Sequence, residues 1–288
     1  FIGRNMLGSS IEKITFNKCY FENKRSSLTG ADKWTGVNMW GKYEFNECTF
    51  GTEAHCSVKC DGVVAAFNNC SFDDARDITS VVNYDGEFDA QITFDGNKYI
   101  AEGKLEDAEG NTIATSVAGL RDALKEGEDV ILAGDMAVKN SESESNGYGK
   151  TGINMTNGGT IDGGGNDISI NAWSTWDSAI NTTGGTIKNI NVTGGMRGIF
   201  VNHNSDNCSK VYLENVVIDG TVYTISCDQG TNNGLEAINS TFNGWTSYAA
   251  TIGDVKFTNC NFGEGQGYAY CRPYAPTEFV GCEFEAGF

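Results

Sequence analysis

The chain has 288 residues, with 20 basic against 38 acidic side chains for a net charge of −18, and it carries 37 Gly, 2 Pro and 10 Cys. Abundant glycine without proline, and without a Gly-X-Y period, excludes collagen and proline-rich disorder and fits a turn-dense all-β chain. The acidic balance argues against nucleic acid and against an anionic membrane as partners, since both need basic patches that displace counterions, and no apolar run approaches the ~20 residues that span a bilayer.

Phe1 is not an initiator Met and falls within a repeat, so a processed product or a part of something longer is expected. Three stretches then share one template: Ile14-Thr-Phe-Asn-Lys-Cys-Tyr-Phe21, Tyr43-Glu-Phe-Asn-Glu-Cys-Thr-Phe50 and Ala65-Ala-Phe-Asn-Asn-Cys-Ser-Phe72. The first two apolar slots, two residues apart, face one way from a strand; a two-residue step turns the chain, and the last two slots point inward from a second short strand. Asn17, Asn46 and Asn69, with Asn215 and Asn259 further on, are read as the corners, because Asn tolerates the left-handed backbone that such a bend needs. Asp73, Asp74 and Asp77 are read as a solvated acidic end of this first stack.

Residues 78–102 alternate in antiparallel style around Asp85-Gly86 and Asp95-Gly96, both hairpin-turn dipeptides. Thr115 or Ser116 then precedes Val117, Leu120 and Leu124 at helical spacing, with Gly127 as the stop. Val130 to Leu132 follows as a buried strand. Looser copies of the template appear at Val211, Leu213, Val216, Ile218 and at Leu235, Ala237, Ser240, Phe242, and full copies at Val255 to Phe262 and Thr277 to Phe284. Cys48 to Cys70 and Cys260 to Cys282 are both 22 residues and Phe242 to Phe262 is 20. A turn of that length cannot bury its own apolar face and must stack on a neighbour, so the chain is a solenoid. Adding 212 to Gly41, Phe45, Cys48, Phe50, Gly51, Phe67, Cys70 and Phe72 gives the same residue each time. The expected organisation is the end of a first β-helix over 1–77, a connector with an antiparallel hairpin over 78–115, and a second β-helix with a capping helix over 116–288.

On the rungs, on Gly159-Thr-Ile-Asp-Gly-Gly-Gly-Asn166, and on Gly198 to Asn204 followed by Val211 to Gly220, the chain resembles the right-handed parallel β-helix proteins of the pectate-lyase-like superfamily. The resemblance covers 150–288 well and 10–73 more loosely. It implies an all-β, right-handed parallel β-helix. It does not imply one function, because that family includes polysaccharide lyases and hydrolases, phage tailspikes and other virion proteins, and adhesins.

Candidate chemistry is sparse. Cys19, Cys48, Cys70, Cys260 and Cys282 share one inward slot and read as a ladder of thiols packing as small hydrophobes; rungs ~4.8 Å apart suit cross-rung disulfides poorly. Cys56-x3-Cys60 beside His55 has no second pair to complete a zinc site, so no metal and no cofactor is expected. Largely unpaired thiols suit synthesis in a reducing cytosol. Asp162, Asp167, Asp219 and Asp228 are scattered at turns rather than paired across a cleft, and Arg197, His203 and Arg272 stand as isolated candidates, so no catalytic residue is assigned. The resemblance's catalytic Asp pairs and Gly-His-Gly segment have no counterpart. Trp173, Trp176, Tyr248, Tyr268, Tyr270 and Tyr274 could form ring platforms for sugars, although aromatic residues in such loops also cover core or meet a neighbouring subunit. Sequons at Asn69, Asn154, Asn181, Asn191, Asn207 and Asn239 follow from Asn-rich turns.

The expected function is a non-enzymatic structural β-helix protein on the exterior of a phage virion (a fibre, decoration or tailspike) with a role in attachment. Its partners would be other copies of itself, other virion or surface proteins, and glycans. The alternative is a bacterial surface or secreted protein that binds or degrades polysaccharide. As a free-standing span, Phe1 to Phe288 is expected to associate end to end, because solenoid ends need covering.

Overall fold

The computed structural model describes residues 13–22, 36–52, 54–73, 76–202, 208–227, 234–248, 253–273 and 276–285. Strand takes 55% and helix 6%, so the protein is all-β, and its strands form a parallel β-solenoid of about 9 turns. Two compact units divide the chain, Phe1–Gly119 and Leu120–Phe288.

In the first unit one wall stacks Ile14–Asn17, Lys42–Asn46, Val63–Asn68 and Ala90–Phe94 in parallel, with Phe16, Phe45, Phe67 and Phe94 in one register column. A second wall stacks Tyr20–Phe21, Thr49–Phe50 and Ser71–Phe72. Gly36–Met39, His55–Val58 and Val82–Asn83 make the third. Period-2 alternation decides what is inside: Tyr43, Phe45, Cys48 and Phe50 are all buried. Phe45 lies 4.7 Å from Phe67 at 9° between ring planes, and Phe50 lies 5.5 Å from Phe72 at 14°. Edge contacts such as Phe45 on Phe50, 5.6 Å apart at 66°, tie the two columns together. Each such pair adds about 0.5–1.5 kcal/mol beyond its buried area.

The bend between the first two walls differs from the sequence expectation by one residue. The left-handed positions are Lys18, Glu47 and Asn69, at φ of 54°, 49° and 50°, so Asn69 is a corner while Asn17 and Asn46 are not. Lys18 and Glu47 accept this backbone because it aims their N–H groups at the next rung, at the carbonyls of Asn46 and Asn68, 2.9 Å in each case. Asn17, Asn46 and Asn68 stand one place earlier and form an amide ladder, with Nδ2 of each successive Asn donating to Oδ1 of the one before at 2.9 Å. In the second unit the left-handed slot itself carries the Asn, at Asn189, Asn215, Asn239 and Asn259, as read for Asn215 and Asn259.

The antiparallel reading of 78–102 is corrected in its first half. Val82–Asn83 and Ala90–Phe94 still stack in parallel, so Asp85-Gly86 joins two walls of one rung and is not a hairpin. Asp95-Gly96 does turn a hairpin, with Phe94 opposite Asn97 and both turn residues at positive φ, and Lys104–Glu106 and Thr112–Ala114 continue antiparallel. Asp77 is no solvated end either. Its carboxylate accepts from Thr79 N, Thr79 Oγ1 and Thr115 Oγ1 within 3.0 Å. Asp73 accepts from Tyr20 Oη at 2.9 Å, and Asp74 lies outside the described residues.

The helix spans Val117–Lys125. Ser116, rather than Thr115, caps it by accepting from Gly119 N at 3.1 Å, and Gly127 ends it at φ +71°. Leu120, Ala123 and Leu124 are its buried face. Within the second unit, Arg121 donates to Gly152 O and Lys125 O accepts from Asn157 Nδ2, which seats the helix on an early rung.

The second unit repeats the three-walled plan. Its first wall runs through Asp129–Leu132, Thr160–Asp162, the start of Gly185–Gly194, the start of Val211–Asp219, Leu235–Ile238, Val255–Thr258 and Thr277–Val280. The looser template copies hold their predicted slots: Val211, Leu213, Val216, Ile218, Leu235, Ala237, Ser240 and Phe242 are all buried.

Candidate functional site

The third wall of the second unit gathers the residue types best suited to recognition. Lys150–Met155, Ser178–Thr182, Arg197–Val201, Tyr223–Cys227, Trp245–Tyr248 and Tyr270–Pro273 stack in parallel there. Ile153, Ile180, Ile199 and Ile225 share one buried register column and fix the strands against slipping. In the same way Ser178, Arg197, Tyr223, Trp245 and Tyr270 stand opposite one another, one per rung.

The outcome is a continuous row of rings with a guanidinium built into it. Tyr148 lies 5.5 Å from Trp176. The Arg197 guanidinium sits 4.4 Å over Trp176 and 4.6 Å over Tyr223. Tyr223 stacks on Trp245 at 4.9 Å and 18°, and Trp245 meets Tyr268 at 6.1 Å and Tyr270 at 5.5 Å. The Arg272 guanidinium lies 5.0 Å over Trp245, and its Nη2 donates to Ser247 Oγ. Arg197 is only 2% exposed. Burial of a cation is costly unless it is paired and bonded, and here two ring faces, Thr175 O as acceptor for Nε, and Ser226 Oγ as acceptor for Nη1 meet the need.

Of the sequence candidates, Trp176, Tyr268 and Tyr270 are brought together in this row. Trp173 is 55% exposed. Tyr274, His203, Asp228 and the Tyr248 side chain lie outside the described residues. Arg197 and Arg272, read as isolated, are held against rings. Sequence reasoning missed Tyr148, Tyr223 and Trp245 as members. A signal existed: Arg197 to Tyr223, Tyr223 to Trp245 and Trp245 to Tyr270 are 26, 22 and 25 residues, close to the rung period.

The polar groups elsewhere are likewise taken up by the stack. Asp162 Oδ1 accepts from Asn189 Nδ2, and Asn189 Oδ1 from Asn215 Nδ2, both at 3.0 Å. Burial pulls the Asp162 carboxyl upward, but the bonds from Asn189 and Gly164 and the Lys188 ammonium outweigh it and leave its pKa below the ordinary value. Asp167 Oδ1 accepts from Asn191 Nδ2. All ten cysteines are free thiols. Cys48 and Cys70 donate back to the Phe16 and Phe45 carbonyls at 3.4 Å, and Cys260 to Ala237 O at 3.5 Å. Burial raises the thiol pKa of Cys48, Cys56 and Cys260 and pushes Cys70 up to about 11. Among the described residues no group of three or more His, Cys, Asp and Glu is placed to hold a metal ion, and no helix is long and apolar enough to cross a membrane.

No family model, curated protein or solved structure matches the chain.

Proposed function

We propose that the chain is a non-enzymatic structural module of an exterior surface, of the virion type found within the pectate-lyase-like superfamily: a fibre, decoration or tailspike segment with a part in attachment. The observation that carries this reading is where the chemically capable side chains are used. The thiols bond rung carbonyls, the Asn and Asp side chains form ladders, and Arg197 lies between two rings, so these groups serve the stack. Stacking also takes up the ring faces of Trp176, Tyr223 and Trp245 that a sugar would need. Repeated in-register stacking makes a solenoid resist local opening and proteolysis, which suits a surface element.

The deciding experiment is mass spectrometry of purified particles and of cell-surface fractions from the source organism. Recovery of this chain from particles supports the proposal; recovery only from secreted fractions, together with turnover of a polysaccharide, overturns it. If attachment runs through exposed rings, retention on a glycan array weakens in Trp173→Ala, whereas Trp176→Ala acts through stability.

A further inference from the structure

A cavity of about 360 Å³ lies in the second unit beside the helix, bordered by Arg121, Lys125, Glu144, Asn154, Asn181 and Asn202 among others. It shares no ring with the aromatic row beyond backbone contacts, and its volume falls at the small end of ligand sites. The amide nitrogens around it are already spent. Asn146 Nδ2 donates to Trp176 O at 2.8 Å, Asn154 Nδ2 to Glu144 Oε2 at 3.0 Å and Asn157 Nδ2 to Lys125 O at 2.6 Å. Asn181 Nδ2 donates to Asn154 Oδ1 at 2.7 Å and Asn202 Nδ2 to Asn146 O at 2.9 Å.

Asn181 is where the amide chain ends. Its side chain is only 2% exposed, it borders the cavity, and its Oδ1 has no hydrogen-bond partner among the described residues. A buried acceptor without a donor is costly, so a native fold keeps one where something else supplies the donor. An anion brings only acceptors, and would face Asn181 Oδ1 and the Glu144 carboxylate. A cation would face Arg121, whose Nε lies 3.7 Å from Glu144 Oε2, and Lys125 on the border. A neutral molecule with several hydroxyls meets neither repulsion: one hydroxyl donates to Asn181 Oδ1 while others accept from the basic side chains and donate to Glu144.

We propose that this cavity is a binding site for one neutral sugar unit, with Asn181 Oδ1 as its buried anchor. The site stands apart from the exterior location argued above and would hold for a free monosaccharide or for the end of a glycan chain.

The test is titration of the whole chain, followed by ligand-observed NMR and calorimetry, with glucose, galactose, rhamnose and N-acetylglucosamine, with short neutral oligosaccharides, and with phosphate, galacturonate and ammonium as charged controls. At least one neutral sugar should bind while the charged controls do not. Tighter binding of an oligosaccharide than of its monosaccharide identifies a chain end as the source. Asn181→Leu should lower the affinity about tenfold or more, the worth of one buried hydrogen bond. Because Asn181→Leu alters a buried position, Ser145→Trp is the second variant: Ser145 is exposed at the cavity border, and an indole there should block entry with the circular dichroism unchanged. Binding that survives Ser145→Trp, binding of the charged controls alone, or no binding of any neutral sugar, as for a cavity that holds water only, overturns the proposal.

Discussion

Cys48 and Cys260, 212 residues apart, hold the same slot of the rung and make the same pair of bonds. Cys48 Sγ reaches Phe16 O and Asn46 O, both at 3.4 Å; Cys260 Sγ reaches Ala237 O at 3.5 Å and Thr258 O at 3.4 Å. The slot sits just after the left-handed residue, where the bend leaves carbonyls that want a donor. Ser240 occupies it in another rung and donates to Ile238 O at 2.9 Å. Cys48→Ser should therefore cost less than Cys48→Ala, which removes the donor and opens a small void; we expect about 1–3 kcal/mol for Ala by urea unfolding. Equal losses for both variants would show that the thiol acts only by volume.

The buried thiols set an alkaline limit. Cys70 titrates at about 11 in the fold against an ordinary 9.0, because burial disfavours the thiolate. The folded state then keeps a proton that the unfolded chain gives up. Stability from this group is complete below pH 9 and is lost as pH rises toward 11. Cys70→Ser, whose hydroxyl does not titrate there, should flatten that part of a stability–pH curve. In the native protein the inward thiols should also react slowly with a thiol reagent near neutral pH, and in denatured protein quickly without reductant.

Gly119 can only be glycine. A Cβ there would lie 2.0 Å from Gly103 O, whereas one at Gly134 meets nothing within 4 Å. Gly119→Ala should destabilise by more than about 2 kcal/mol, since backbone has to move, and Gly134→Ala should stay within about 0.5 kcal/mol. Thermal unfolding of the two variants side by side checks this.

Arg197→Lys is not a conservative change. An ammonium cannot lie flat between Trp176 and Tyr223 while serving Thr175 O and Ser226 Oγ. We expect a loss of about 2–4 kcal/mol, as for breaking a buried bonded charge, with a shift in tryptophan fluorescence from Trp176. Arg197→Met, which removes the charge and keeps an apolar stem, should cost less than Arg197→Lys. The reverse order would mean that charge alone, and not planar stacking, holds the row.

What the sequence determined is the part governed by local periodicity. The template at Ile14, Tyr43, Ala65 and Val255 places Phe16, Phe45, Phe67 and Phe257 inward, because alternation on a strand leaves no other side for them. The rung spacing requires stacking, because one turn cannot bury its own face. Ser116 and Gly127 bound the helix through capping chemistry that needs no distant partner. The Asp95-Gly96 turn was legible for the same reason, but its neighbour Asp85-Gly86 was not: the same dipeptide turns a hairpin only if the flanking strands pair with each other, and here both flanking strands found partners on the previous rung.

Tertiary register decided the rest. Whether Asn46 or Glu47 takes the left-handed backbone depends on which N–H meets Asn68 O across the rungs, a partner 21 residues beyond Glu47 that no local propensity can see. Tyr148, Trp176, Arg197, Tyr223 and Trp245 look unrelated along the chain because loops of unequal length separate them, and only the parallel hydrogen-bond ladder brings them into one row. Asn181 reads in sequence as one more turn asparagine within a sequon. Its burial, and the carbonyl oxygen it leaves beside a cavity, arise from the helix and the rungs that close around it, a consequence of packing between segments that the one-dimensional pattern does not encode.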